Sequence, residues 1–218
     1  MSDFTITLLE RNWLSKTTFE LTFSRPLNFE YVPGQRIRIL HQNVARDYSL
    51  ISSHHDPELV VYLRLIEKGL LTPVLADLAY GSSVTASGPF GYFNYHSSGR
   101  PAVFVATGTG IAPFVAFVRS GARPMILLHG VRSLEALHYQ DELFAVAETY
   151  VPCLSSPVPP AGSDLDVYEG RVATYLTEHL PQAVYDFYLC GRRDMIREVT
   201  HLVDRHFPGS NVFSEMFY

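Results

Sequence analysis

The sequence predicts two domains, an antiparallel β-barrel or sandwich followed by a doubly wound α/β domain built on a parallel sheet. Three observations lead there. Apolar residues in the first hundred positions recur with a period near two and are cut by Pro and Gly turns. The texture changes at the polar stretch His96 to Pro101, and beyond it short apolar runs alternate with helix-like segments. At 218 residues the chain is long for one domain of ~100–150 residues and short for three.

In the first part, Phe4 to Leu8, Thr18 to Phe23 and Leu59 to Leu65 alternate as strands, separated by turns at Pro26, Pro33-Gly34, His54 to Pro57 and Gly81-Ser82. Arg46 to Ser52 reads as a further strand, with Arg46, Tyr48 and Leu50 on one face and Asp47, Ser49 and Ile51 on the other. A short helix is expected near Pro73 to Ala79, and Gly88 to Gly91 reads as a turn. The domains are therefore placed at residues 1–97 and 101–218. In the second, Ala102 to Ala106, Met125 to His129, Tyr150 to Leu154 and Asp186 to Cys190 are buried strands. Ala112 to Arg119, Tyr139 to Glu148, Val172 to His179 and Asp194 to Phe207 are helices, and Ser155 to Tyr168 is a surface loop. Right-handed strand–helix crossovers make such a sheet parallel, with ligands beyond the carboxyl ends of its strands. That rule selects Thr107 to Pro113 and Cys190 to Asp194.

Composition excludes several classes. Seventeen basic against twenty-two acidic residues give a net charge of -5, which disfavours nucleic acid and anionic membranes. Cys153 and Cys190 are too few for a disulfide scaffold or a four-thiolate iron–sulfur cluster. No run approaches the ~18 apolar residues of a membrane span and the N-terminus lacks a secretory pattern, so a soluble cytoplasmic protein is expected. His54-His55 reads as a solvated turn, not a metal site.

Ala106-Thr107-Gly108-Thr109-Gly110-Ile111-Ala112-Pro113 follows a strand and opens a helix, which suits a pyrophosphate: glycines let the backbone approach, and Pro113 fits a first helical turn. A Gly-rich turn without ligand has the same pattern. It is not the G-x-G-x-x-G fingerprint, since position 113 is Pro, and the second strand closes on His129-Gly130-Val131-Arg132 without an acidic residue. Arg46-Asp47-Tyr48-Ser49 alone is a strand with a polar edge.

Taken together these pieces resemble the ferredoxin–NADP reductase-like flavoprotein oxidoreductases over nearly the whole chain. The matching elements, in order, are Pro33-Gly34-Gln35; Arg46-Asp47-Tyr48-Ser49 with Ser52; Gly69 to Thr72; Gly88-Pro89-Phe90-Gly91; Gly108 to Pro113; Gly130-Val131-Arg132; Cys190-Gly191 with Met195; and Glu215-Met216-Phe217. The resemblance implies an FAD-binding N-terminal barrel in which Arg46 meets the flavin pyrophosphate, Tyr48 packs on the ring and Ser49 hydrogen-bonds near N5. Ser52, Leu65, Gly69, Leu71 and Thr72 complete that site, Thr72 standing where the family often has Ser. It also implies a nicotinamide domain in which Thr107, Gly108, Thr109, Gly110, Pro113 and Arg132 receive the dinucleotide. Cys190, Gly191 and Met195 then lie by the nicotinamide, Glu215 serves hydrogen bonding or proton supply around N5, and Phe217 or Tyr218 covers the ring. Cys153 is expected in the core. Tyr92 and Phe93 suit either the FAD adenine or core packing, and Arg192, Arg193 and Arg197 either an acidic partner or a solvated helix start.

The implied activity passes a hydride from NAD(P)H to FAD and then single electrons to a separate acceptor, an iron–sulfur protein such as a ferredoxin or an oxygenase component. Alternatives are an NAD(P)H:flavin reductase and a non-catalytic redox-sensing subunit. NADPH users of the family often carry Ser-Arg after the third strand; here Leu154-Ser155-Ser156-Pro157 stands there, which favours NADH.

Overall fold

The computed structural model describes residues 3–156 and 167–217. Internal packing divides the chain into two units: one holds the residues up to Tyr95 together with Ala112–Gly121, the other His96–Ile111 and the chain from Ala122 onward.

The first unit contains β1 (Phe4–Trp13), β2 (Thr18–Ser24), β3 (Arg36–His41), β4 (Val44–Ser49), β5 (Glu58–Arg64), β6 (Ser83–Phe90) and the helices α1 (Thr72–Asp77) and α2 (Ala112–Arg119). Its strands run in the order β4-β3-β6-β1-β2-β5, every pair antiparallel. An antiparallel bridge from Leu50 to Val61 joins the two ends of that order and closes a barrel. Period-two alternation is the reason the barrel fills: Ile6, Leu8, Phe19, Leu21, Phe23, Ile37, Ile39, Leu59 and Val61 are all fully buried on its inner face. Each such side chain contributes roughly 1.5–3 kcal/mol of transfer free energy. Gly34 (φ +93°) carries no Cβ because one there would collide with the Phe93 carbonyl oxygen and the Phe117 ring.

Two strands of this unit escaped the sequence reading. Arg36-Ile37-Arg38-Ile39 has the right alternation, with both isoleucines inward, but is short and charged. The expected Gly88 to Gly91 turn is instead largely the end of β6, which runs to Phe90. Pro89 has no N–H to donate, and the β3–β6 register shifts between Arg36 and Arg38 opposite it. The strand expected over Arg46 to Ser52 ends at Ser49, and Leu50, Ile51 and Ser52 are buried beyond it.

The second unit contains β7 (Ala102–Thr107), β8 (Ile126–Val131), β9 (Thr149–Leu154), β10 (Tyr168–Glu169), β11 (Asp186–Gly191) and β12 (Asn211–Met216), with α3 (Gln140–Phe144), α4 (Val172–His179) and α5 (Arg193–His206). The sheet order is β10-β9-β8-β7-β11-β12 and every pair is parallel. The chain enters at β7, builds outward to β10, then returns to β7's other side as β11, so the topological switch point lies between β7 and β11. On one face Val103, Val105, Leu128, Val151, Cys153, Phe187 and Leu189 pack against Val172 and Leu176 of α4 and Met195, Val199 and Val203 of α5.

Two expectations in this unit are corrected. The helix expected over Tyr139 to Glu148 is only five residues long: Tyr139 sits at φ +62°, Leu143 is its single buried residue and Phe144 is exposed, so no apolar stripe supports a longer one. The loop expected over Ser155 to Tyr168 ends in a strand, because Tyr168 and Glu169 pair with Cys153 and Leu154 at the sheet edge; residues 157–166 of it, Pro157 included, lie outside the described residues. Among the described residues no helix is long and apolar enough to cross a membrane.

Candidate functional site

The chemistry-bearing residues gather at two places, one in each unit. In the first unit, β4 supplies Arg46, Tyr48 and Ser49. Asp47 is held by Arg38 (Nε to Oδ1, 2.7 Å) and Arg36 (Nε to Oδ2, 3.1 Å); burial pushes its carboxyl up, but the two guanidinium groups outweigh that and hold it below the usual range. Arg46 lies outside this cluster, exposed, and among the described residues its side chain hydrogen-bonds only its neighbour's carbonyl, Ala45 O, at 2.7 Å. Tyr48 is half-buried against the barrel core, and burial raises its hydroxyl to about 12 against a small lowering by Arg46. Ser49 is buried. The Tyr48 Oη and Ser49 Oγ are both buried with no hydrogen-bond partner among the described residues. An unsatisfied buried hydroxyl costs about 1–3 kcal/mol, so each of the two, on opposite faces of β4, is a candidate position for a ligand's hydrogen bond.

Leu65 packs on the same core cluster as Tyr48, and Leu71 belongs to it. Gly69 donates its N–H to Ile66 O (2.7 Å), while Thr72 Oγ1 accepts from Ile66 N (3.0 Å), so the expected hydroxyl secures its own loop. Ser52 Oγ is likewise taken up internally, between Tyr31 Oη (2.8 Å) and Val60 N (3.1 Å). Phe93 is core, stacked near Phe114 and Phe117, whereas Tyr92 is 98% exposed. His54 and His55 stack in a turn, and no group of three metal-ligating side chains occurs among the described residues.

In the second unit the switch point brings together two segments eighty residues apart. Gly108–Ile111 forms a 3₁₀ turn directly after β7 and leads into α2, in which Pro113 is the second residue. A Cβ on Gly110 would stand 2.6 Å from the Cys190 carbonyl carbon and 2.7 Å from Gly191 Cα, so only glycine allows the turn to rest on the end of β11. Thr107 Oγ1 accepts from Arg192 N at 3.0 Å, closing the contact from the other side. Gly108, at φ +53°, faces open space, and Thr109 is half-buried. Cys190 and Met195 are buried; Glu215 is buried opposite Cys190 in the β11–β12 register, and Phe217 N donates to Gly191 O at 3.0 Å. Arg192, Arg193, Asp194, Arg197 and Phe217 line a groove of about 380 Å³, where Arg192 is paired to Asp194 at 2.9 Å. Arg132 is exposed just past β8; Tyr218 lies outside the described residues.

Sequence reasoning missed His129. It is fully buried on β8, with Nε2 3.2 Å from Gly108 O and Nδ1 3.3 Å from Tyr150 Oη on β9. Burial, little offset by the bond to Gly108, lowers its pKa to about 4, so the ring is neutral. No local pattern marks it, because its partners come from another strand and from the turn after β7.

Comparison with known proteins finds two family models along the chain. Residues 5–95 match the model of the oxidoreductase FAD-binding domain, and residues 104–201 that of the oxidoreductase NAD-binding domain. The chain is 31% identical over 206 residues to the toluate 1,2-dioxygenase electron transfer component of Pseudomonas putida, covering 87% of this chain and 60% of that one. It spans only about half to two thirds of the length of the curated relatives it matches. Among solved structures it matches Amycolatopsis cytochrome P450 reductase GcoB with a TM-score of 0.85 and 26% identity, over 99% of this chain and 70% of that one. It matches a ferredoxin NADP+ reductase from Neisseria gonorrhoeae, with bound FAD and NADP, with a TM-score of 0.84 and 20% identity over the full length of both, a likeness of fold. With a closed antiparallel barrel matching the FAD-binding model and a parallel sheet matching the NAD-binding one, the chain belongs to the ferredoxin–NADP reductase-like family of FAD- and NAD-binding oxidoreductases.

Proposed function

We propose that the chain is a flavoprotein reductase that binds FAD in its first domain, residues 1–97, and a nicotinamide dinucleotide in its second, residues 101–218. The observation that carries this is the pair of buried, unpartnered hydroxyls of Tyr48 and Ser49 beside Arg46, whose guanidinium pairs with no carboxylate among the described residues. Those residues fit the group: two hydroxyls for the polar edge of a flavin, an aromatic face, and a planar cation that meets a pyrophosphate bidentately. Leu65, Leu71 and the Gly69 to Thr72 loop wall the same site, and Ser52 supports it from within. FAD held there would supply the conversion of a hydride equivalent into single electrons.

The chain's own part is to bind and orient. The turn from Thr107 through Gly110 to Pro113, with Arg132, holds the dinucleotide. Cys190 and Gly191 set the nicotinamide's position, Met195 packs behind them, and Phe217 shields the site. Ser49 hydrogen-bonds near flavin N5, and Glu215 serves hydrogen bonding or proton supply around that atom. The donor is NADH, because Ser156 stands where a phosphate-binding arginine would favour NADPH. The acceptor is an iron–sulfur protein, a ferredoxin or an oxygenase component, since these 218 residues contain only Cys153 and Cys190. The cytoplasm is the compartment this chemistry suits.

An anaerobic absorbance spectrum of the desalted protein, before and after NADH or NADPH, tests the reading. A bound flavin spectrum that bleaches is expected, with kcat/KM favouring NADH. A colourless protein that bleaches free flavin would make flavin a substrate, no bleaching at all would refute the reductase, and a tenfold preference for NADPH would refute the donor.

A further inference from the structure

We infer that His129 is a positioning residue for the nicotinamide dinucleotide: its Nε2–H holds the Gly108 carbonyl against the buried ring, so that the turn meets the pyrophosphate with an amide hydrogen and not with a carbonyl oxygen. The inference deepens the proposed function and rests on its reading of residues 107–113 as the pyrophosphate turn.

The argument starts from the peptide plane between Gly108 and Thr109. In a trans peptide the C=O and the following N–H point in opposite directions. The Gly108 oxygen is 3.2 Å from Nε2 of His129, which is fully buried, so the Thr109 N–H of the same plane points away from that ring. Glycine at 108 accommodates the left-handed φ of +53° at which this plane is held, and a plane turned the other way would present an oxygen to the anion.

The donor direction is fixed by elimination. A carbonyl only accepts, so the proton of the neutral ring is on Nε2, and Nδ1 accepts from the Tyr150 hydroxyl at 3.3 Å. Tyr150 thereby sets the tautomer that His129 needs. The relay runs across three adjacent strands, from β9 through β8 to the end of β7, and places its last bond at the switch point.

Calorimetric titration of the flavin-loaded protein with ADP-ribose, which contains the pyrophosphate, and with AMP, which does not, tests this. In His129→Phe the ADP-ribose dissociation constant is expected to rise about tenfold and that of AMP less than twofold, with the KM for NADH rising in parallel and kcat staying within twofold. His129→Gln, whose amide can donate to the same carbonyl, is expected to recover ADP-ribose binding to within about threefold of the wild type. Tyr150→Phe keeps His129 and removes only the hydroxyl, and is expected to weaken ADP-ribose severalfold, so it decides the matter if His129→Phe does not fold. Unchanged ADP-ribose binding in His129→Phe, or in Tyr150→Phe where it stands alone, overturns the role of His129 while leaving the turn as the pyrophosphate site. If the wild type binds ADP-ribose no more tightly than AMP, the reading of the turn itself fails, and the role of His129 with it.

Discussion

Burial of His129 as a neutral ring makes the second unit acid-sensitive in a way that can be isolated. Its folded pKa of about 4 lies below the ordinary 6.5, chiefly because burial penalises the cation, with a further lowering from His138 nearby. The unfolded chain therefore binds more protons between those two values. The stability from the neutral ring is complete above pH 6.5 and is lost as pH falls toward 4, at ~1.4 kcal/mol per pH unit. At pH 5 the loss comes to about 2 kcal/mol. His129→Gln cannot titrate, so the difference between the two proteins contains this contribution alone; His54, whose pKa is also lowered, is present in both and cancels. Native-state hydrogen exchange of the β8 and β9 amides at pH 7 and pH 5 reads the opening free energy of this sheet without requiring the two units to unfold together. The wild type should lose about 2 kcal/mol more protection than His129→Gln on acidification. Parallel losses would refute the buried neutral ring, and with it the assignment of the Nε2 proton.

The unpartnered hydroxyls of β4 predict effects of opposite sign in the two states of the protein. Tyr48→Phe and Ser49→Ala should leave the flavin-free protein unchanged or slightly more stable, yet weaken FAD binding by about 1 kcal/mol each, a five- to tenfold rise in dissociation constant by flavin titration; equal losses in both states would mean the hydroxyls have protein partners. The two glycines of the turn should differ sharply. Gly110→Ala drives a methyl into the Cys190 backbone and should cost about 3 kcal/mol in urea unfolding, whereas Gly108→Ala meets open space and pays only about 1 kcal/mol for its positive φ. The reverse order would refute the packing of the turn on β11. Arg46→Gln should cost more FAD affinity than Arg38→Gln, because Arg38 is committed to Asp47 while Arg46 is not; flavin retention through gel filtration separates the two.

What could be read in the sequence was whatever repeats along the chain. Period-two burial places Ile6, Leu8, Phe19, Leu21 and Phe23 inside the barrel, and continuous apolar runs such as Ala102 to Ala106 mark strands covered on both faces. The helices over Ala112–Arg119 and Val172–His179 could be read to the residue because the first is a continuous buried apolar run and the second carries a buried face. Where burial is sparse, the pattern misleads. The α3 segment has helix-forming residues but one buried side chain, and β10 is two residues held by an edge, too short to carry a period.

The site divides along a different line. Arg46, Tyr48 and Ser49 fall within four successive residues of β4, so their closeness along the chain is a local fact that a motif can express. The Gly108 to Gly110 turn and the Cys190-Gly191 pair are not local, yet each was readable because glycine is an unusual choice at a strand end. What no motif could express is that each is the other's reason. Gly110 is glycine because Cys190 and Gly191 press on it, and a Cβ on Gly191 would collide with Thr107. Parallel pairing of β7 with β11 puts Ala106 opposite Cys190 and so fixes this contact at the one place where the chain reverses its direction of winding. His129 extends the same logic: β8 is β7's other neighbour, so its side chain reaches the turn from the flank that β11 leaves open. The Gly108 to Gly110 turn is thus braced from both adjacent strands, by backbone contact on one side and by an imidazole on the other. A change at any of the three strand ends should therefore alter the turn as well as the stability of the sheet.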